Sequence, residues 1–175
     1  MTKTYIHTHI ELVETLFLRF SRTIEEEILP YKNYVYRVIN FYITLNPRTS
    51  KEEESKLIIA TSFYILGLYY KKNLDYLKSS IDYAKEYLRE NHLEKWIEEI
   101  TLMIRVQQKG IFFQRRRDIV ILNKASKLAS KNQKSDKSVD KQFFDEIDIF
   151  FPDKGFNRIL HFNRFKSFFS FGRKD

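Results

Sequence analysis

The chain has 175 residues, of which 43% are hydrophobic and 16% aromatic, and this composition predicts a packed globule rather than a disordered chain. The sequence contains no cysteine, which excludes disulfides, thiolate catalysis and cysteine-based zinc sites. The formal net charge of +8 makes an anionic partner worth considering.

Four glycines and three prolines are few for a sheet-and-turn protein, so the composition favours helices. We expect a single all-α domain over residues 1–175. The first residues lack the apolar core of a signal peptide, and no uncharged apolar run approaches the ~20 residues that cross a bilayer. We therefore expect a cytoplasmic protein with no transmembrane segment.

Apolar residues recur at the spacing of amphipathic helices and predict seven to eight helices, with a core at about residues 8–128. We expect the first helix to occupy residues 8–28 and to end at Pro30, because proline has no amide hydrogen for the helical ladder. His7 and His9 lie two residues apart at the start of this region, and we interpret them as part of a frayed terminus.

The next helix is expected to stop before Asn46-Pro47, and a capping box at residues 49–54 predicts the start of a third. The most apolar stretch, residues 58–70, contains no charged side chain and predicts a buried helix that ends at Gly67. Later helices are predicted at residues 76–88, 93–108 and 112–128, with a break at Asn91-His92.

Residues 129–142 contain one large apolar side chain and predict a mobile loop. Two C-terminal helices are expected within residues 143–171, the first stopped by Pro152 and the second opened by Gly155. The second is rich in phenylalanine, and we expect it to dock on the core. Binding to an anionic membrane surface, or to a second copy of the chain in a homodimer, stays open as an alternative.

A series of short sequence frames occurs in order between residues 30 and 165. The frames are Tyr31-Lys32-Asn33-Tyr34-Val35-Tyr36-Arg37-Val38, Phe63-Tyr64-Ile65-Leu66-Gly67, Ile104-Arg105-Val106-Gln107, Leu122-Asn123-Lys124-Ala125-Ser126 and Phe151-Pro152-Asp153-Lys154-Gly155-Phe156-Asn157-Arg158. In order and spacing they resemble the frames of the HD-domain metal-dependent phosphohydrolases, the last resembling a tail found in one HD subgroup. The resemblance implies an HD-like helical bundle.

The resemblance also implies where metal ligands would lie, and this chain differs at every one of those positions. They carry Tyr34, Tyr64, Ile65, Gln107 and Asn123 in place of histidine and aspartate. Isoleucine has no donor atom, a phenol ionises only near pKa ~10, and amide oxygens are neutral. We therefore expect no metal, no cofactor and no catalytic residue. The expected function is that of an HD-domain pseudoenzyme that binds a protein partner or a nucleotide-like ligand.

Two interpretations of the substituted positions stay open. In the first, the tyrosines and the isoleucine fill the former metal cavity and the two amides hydrogen-bond the phenols, which avoids burying unpaired carboxylates. In the second, the cavity persists as a metal-free site where tyrosine rings stack on a nucleobase. Phosphate is then expected to meet nearby cations, of which the candidates are Arg37, Arg105 and Lys109.

Two further functions from different classes are also open. Residues 105–141 hold eleven Lys or Arg against three Asp or Glu, and Arg115, Arg116 and Arg117 within them predict a cationic stripe on one helix and its loop. Such a stripe is a candidate contact for anions and for nucleic acid. The other alternative is an active phosphohydrolase whose metal site has moved, with His7, His9 or His161 as ligands.

Overall fold

The computed structural model describes residues 5–20, 25–70, 76–109, 116–130 and 138–160. Within these ranges the chain forms seven α-helices and one 3-10 helix up to residue 150, a further helical segment at residues 156–160, and no strand. This confirms the predicted all-α class and a bundle of seven to eight helices. The helices are α1 (Glu11–Phe20), α2 (Glu25–Leu45), α3 (Lys51–Tyr70), α4 (Tyr76–Glu90), the 3-10 helix (Glu94–Trp96), α5 (Ile97–Lys109), α6 (Arg117–Ser130) and α7 (Lys141–Phe150). None of these helices is both long and apolar enough to cross a membrane.

Four of the helices form a closed ring around the centre of the bundle. Helix α2 packs against α3, α3 against α5, α5 against α6, and α6 returns to α2. We call this arrangement the four-helix ring. Helix α3 is buried along most of its length, from Leu57 to Leu68, because α1 and α4 also pack against it. The apolar character of residues 58–70 thus reflects a helix that is covered on every side.

Gly67 lies inside α3, which continues to Tyr70, so the prediction that Gly67 ends this helix is wrong. A Cβ atom at this position would lie 1.9 Å from Ser80 Oγ and 2.8 Å from Ser80 Cα on α4. The hydroxyl of Ser80 donates to the carbonyls of Tyr76 at 2.8 Å and of Tyr64 at 3.3 Å. Glycine is therefore used here for the close approach of two helices and not for a left-handed cap.

The prediction that Pro30 ends the first helix is also wrong. Helix α1 is described over Glu11–Phe20, and Pro30 lies within α2, which continues to Leu45. The missing proline amide leaves one helical acceptor unused, the carbonyl of Glu26. Because Glu26 is exposed to solvent, water can satisfy that carbonyl and the helix continues.

The segment before α1 is attached to α2, so the interpretation of residues 7–9 as a frayed terminus is wrong as well. The Asn40 side chain accepts from the His7 amide at 2.8 Å and donates to the His7 carbonyl at 3.1 Å. The Tyr36 hydroxyl accepts from the Ile10 amide at 3.0 Å. These bonds join the backbone of His7 and Ile10 to side chains of α2.

A buried tyrosine and a lysine on α2 hold a carboxylate on α1. The Tyr36 hydroxyl donates to Glu14 at 2.5 Å, and the Lys32 ammonium lies 2.9 Å from the other Glu14 oxygen. Burial raises the pKa of Glu14, but the hydrogen bonds from Tyr36 and Lys32 together outweigh it and leave the pKa below its ordinary value of 4.5. Glu14 therefore stabilises the fold in its ionised form.

In the Glu14→Gln variant, the free energy of unfolding is expected to fall less steeply as the pH is lowered. The folded pKa is depressed, so the stabilisation by Glu14 is complete above pH 4.5 and disappears as the pH falls through the folded pKa. Urea unfolding between pH 3 and pH 7 would measure this. The exposed Glu26→Gln variant is the matched control and should follow the wild-type profile. If the stability of the Glu14→Gln variant fell as steeply in acid as that of the wild type, Glu14 would not be the source of this pH dependence.

Helix α4 ends where the sequence indicates, immediately before Asn91-His92. The Leu93 amide donates to the Leu88 carbonyl at 2.8 Å and the His92 amide to the Arg89 carbonyl at 3.2 Å. This pair of bonds is the Schellman pattern, and His92 takes its left-handed position with φ of 57°.

The predicted loop at residues 129–142 is wrong at both ends, while its centre, residues 131–137, lies outside the described residues. Ala129 and Ser130 are buried in the last turn of α6, and α7 begins at Lys141. The helix expected before Pro152 is confirmed as α7. Residues 156–160 are helical after Gly155, and the rest of that predicted helix lies outside the described residues.

Candidate functional site

All five positions that the HD-like frames mark as former metal ligands lie on the four-helix ring. Helix α2 carries Tyr34, α3 carries Tyr64 and Ile65, α5 carries Gln107 and α6 carries Asn123. The exposed fractions of the first four are 1%, 0%, 0% and 2%, and Asn123 is partly buried. The helices that carry these positions pack against one another in sequence around the ring.

The side chains at these positions contact the protein itself. The Tyr34 ring lies 5.0 Å from that of Phe156, and its hydroxyl donates to the Ser126 carbonyl on α6 at 3.4 Å. The Tyr64 ring lies 6.1 Å from that of Tyr76. The Gln107 amide donates within its own helix, to the Met103 carbonyl at 3.3 Å. The phenol of Tyr34 thus donates to the backbone of α6. That the side-chain amides bind the phenols stays a prediction.

These residues do not fit a divalent metal. Ile65 offers no donor, and a buried phenol would have to lose its proton to bind the ion. Across the part of the chain that the structure describes, no group of three or more His, Cys, Asp or Glu is placed to hold a metal. Of the alternative ligands, the His9 ring is exposed beside Glu11. His161 lies outside the described residues, so a metal site that includes it stays a prediction.

Arg37, a candidate phosphate contact, is used inside the fold. Its side chain is 2% exposed. The guanidinium donates to the Ala129 carbonyl at 3.1 Å, to the Asp148 carboxylate at 2.6 Å and to the Phe151 carbonyl at 3.2 Å. We call this set of bonds the Arg37 clamp. It joins α2 to the end of α6 and to α7, so the expectation that Arg37 meets a ligand is wrong.

The arginine triplet does not form a stripe along one helix. Helix α6 begins at Arg117, Arg116 precedes it, and Arg115 lies outside the described residues. Arg116 pairs with Asp118 at 2.6 Å and also with Glu99, and these two carboxylates raise the pKa of its guanidinium. The predicted helix start near Phe112 is therefore wrong, since residue 116 is not helical.

A cleft of about 400 Å³ lies beside Arg116, between the α2–α3 turn and the start of α6. Its charged lining consists of three arginines and three carboxylates, which are Arg48, Arg116, Arg117, Glu53, Glu99 and Asp118. Because the charges balance, this cleft has no excess of positive charge for an anion.

A second cleft, of about 380 Å³, lies between the start of α4 and the end of α5. It is lined by Leu77, Lys78, Ile81 and Arg105. Among the predicted anion contacts whose side chains are described, Arg105 is therefore the one at a cleft whose described lining holds no carboxylate. The side chains of Lys109 and Arg115 are not described. Sequence reasoning missed Lys78, because nothing in the chain order shows which helix α5 will face.

Comparisons of the chain with models of known protein families, with curated proteins and with solved structures find no match.

Proposed function

We propose that this chain is a catalytically inactive, HD-like helical domain, a pseudoenzyme that acts by binding a protein partner or a nucleotide-like ligand. The observation that carries the proposal is the complete burial of Tyr34, Tyr64 and Ile65 at positions where the resembling enzymes place metal ligands. Large packed side chains there favour the interpretation that the former cavity is filled.

Inactivity follows from the chemistry of the side chains at these positions. In metal-dependent hydrolysis the ion polarises the substrate and lowers the pKa of its bound water to about 7. The side chains of this chain offer a hydrocarbon, two phenols and two neutral amides instead. They cannot supply the anionic carboxylates and imidazoles that such an ion prefers.

If the interior of the domain is filled, a partner or ligand has to bind at its surface. The tyrosine rings that could stack on a nucleobase are buried against Phe156 and Tyr76, so a ligand would have to approach elsewhere. The exposed clefts and helix faces are then the candidate contact regions.

The proposal predicts that the purified, unchelated protein contains no stoichiometric transition metal and does not hydrolyse a generic phosphodiester with added Mn²⁺. Elemental analysis and a bis-nitrophenyl phosphate assay measure the two quantities. About one bound metal per chain together with metal-dependent turnover would overturn the proposal.

A restored-ligand variant is the positive control for this experiment. It carries Tyr34→His, Tyr64→His, Ile65→Asp, Gln107→His and Asn123→Asp. If the HD-like frames mark the former ligands correctly, Mn²⁺ should raise the melting temperature of this variant, because a metal that binds the folded state stabilises it. The matched control carries the other four substitutions without Ile65→Asp, and Mn²⁺ should raise its melting temperature less. No effect of Mn²⁺ on the restored variant would contradict the HD-like assignment of the site.

A further inference from the structure

The cleft between α4 and α5 combines an apolar surface with two cations. Leu77 and Ile81 are aliphatic, Ile81 is buried, and Lys78 and Arg105 are exposed at the same cleft. Its volume of about 380 Å³ lies within the range of small-molecule sites, which are mainly apolar with a few polar groups that fix orientation.

The two cations lack the carboxylate partners that Lys56 and Arg116 have. Lys56 contacts Glu52 at 2.6 Å and Glu99 at 2.7 Å, and Arg116 is held by two carboxylates. Within the described ranges, neither Lys78 nor Arg105 forms an ion pair, and no carboxylate is among the residues that line the cleft. The cleft therefore has a net positive potential next to an apolar surface.

The lining also indicates what kind of ligand suits the cleft. A carboxylate or phosphate forms charge-assisted hydrogen bonds with lysine and arginine, and arginine can bind it through two parallel bonds. An aliphatic chain gains free energy by covering Leu77 and Ile81. The four lining residues that the structure describes include no aromatic ring, so a nucleobase would find no stacking partner among these four.

We propose that this cleft binds a small amphipathic anion, meaning one carboxylate or phosphate group attached to a short aliphatic chain. The acidic group lies between Lys78 and Arg105, and the chain lies on Leu77 and Ile81. This site is outside the metal-ligand positions of the four-helix ring, so the inference goes beyond the proposed function and stands even if those positions prove catalytic.

Titration of the ¹⁵N-labelled full chain with hexyl phosphate and with hexanoate at low salt tests the proposal. At least one of them should shift the amide resonances at the start of α4 and the end of α5, and the tighter of the two assigns the acidic group. Inorganic phosphate and hexanol should each bind at least about tenfold more weakly, because the first lacks the aliphatic chain and the second lacks the acidic group. Equal binding of hexanol or of inorganic phosphate would overturn the proposal.

Charge removal locates the site. The Lys78→Gln, Arg105→Gln double variant should bind the preferred anion at least about tenfold more weakly than the wild type. The matched control, Arg89→Gln with Lys127→Gln, removes the same charge from exposed positions outside the cleft and should bind normally. Equal weakening of both variants, or of neither, would overturn the assignment. Binding of a glutamate-rich peptide in the absence of any binding of the small acids would also overturn it, in favour of a protein contact.

Discussion

Replacing Gly67 by alanine is expected to destabilise the fold by about 2 kcal/mol, since overpacking outweighs the better helix propensity of alanine. The new methyl carbon would lie 1.9 Å from Ser80 Oγ, which can rotate away, and 2.8 Å from Ser80 Cα, which cannot. Helices α3 and α4 would have to separate, and the hydrogen bonds of Ser80 to Tyr64 and Tyr76 would weaken. Urea unfolding measures the change.

Two further variants separate this contact from the general effect of losing a glycine. Adding Ser80→Gly to Gly67→Ala should recover part of the stability, because the oxygen and Cβ of residue 80 are removed, and a double-mutant cycle gives the coupling. Gly155→Ala has no neighbour within 4 Å of the new carbon but a φ of 87°, so we expect a loss of about 1 kcal/mol that Ser80→Gly does not change. A Gly67→Ala variant more stable than the wild type would contradict the close approach of α3 and α4.

Replacing Arg37 by alanine is expected to destabilise the fold by about 3 kcal/mol, because three buried hydrogen bonds and the packing of a long side chain are lost together. The Ala129 and Phe151 carbonyls would lose a donor, and the Asp148 carboxylate would lose its cation. Amide hydrogen exchange should increase most in α7, because the Arg37 clamp joins that helix to α2. Thermal unfolding and hydrogen exchange measure the two effects.

The clamp can be tested apart from its ion pair. The Asp148 side chain is 34% exposed, so water can solvate it and Asp148→Asn should have a small effect, about 1 kcal/mol. The exposed Arg89→Ala variant is a matched loss of arginine and should lie within about 0.5 kcal/mol of the wild type. An Arg37→Ala variant no less stable than Arg89→Ala would show that Arg37 is available to a ligand after all.

Tyr34, Tyr64 and Ile65 are buried side chains of the four-helix ring. Full burial of an apolar side chain contributes about 1.5–3 kcal/mol, so their packing helps to hold the ring helices together.

The candidate site was only partly accessible to sequence reasoning. The burial of Tyr34 follows from its helical spacing, because a 3.6-residue period places it on an inward face. The burial of Tyr64 follows from the uncharged stretch at residues 58–70. The partners of Arg37 and the cleft at Lys78 did not follow. Arg37 contacts residues more than ninety positions away, and the cleft at Lys78 exists only because α5 lies beside α4.

The sequence by itself determined the all-α class, the number of helices and the stop of α4 at Asn91-His92. These are local properties that depend on residues within a turn or two of each other. Only the tertiary structure decided what Pro30, Gly67 and Arg37 do. Helix α2 continues through Pro30 because the carbonyl that lacks a donor, that of Glu26, is exposed to solvent. Gly67 allows Ser80 of α4 to approach α3 closely. Arg37 is bound by Asp148 of α7. The role of each residue depends on its spatial neighbours or on its exposure to solvent, and neither can be read from the order of residues alone.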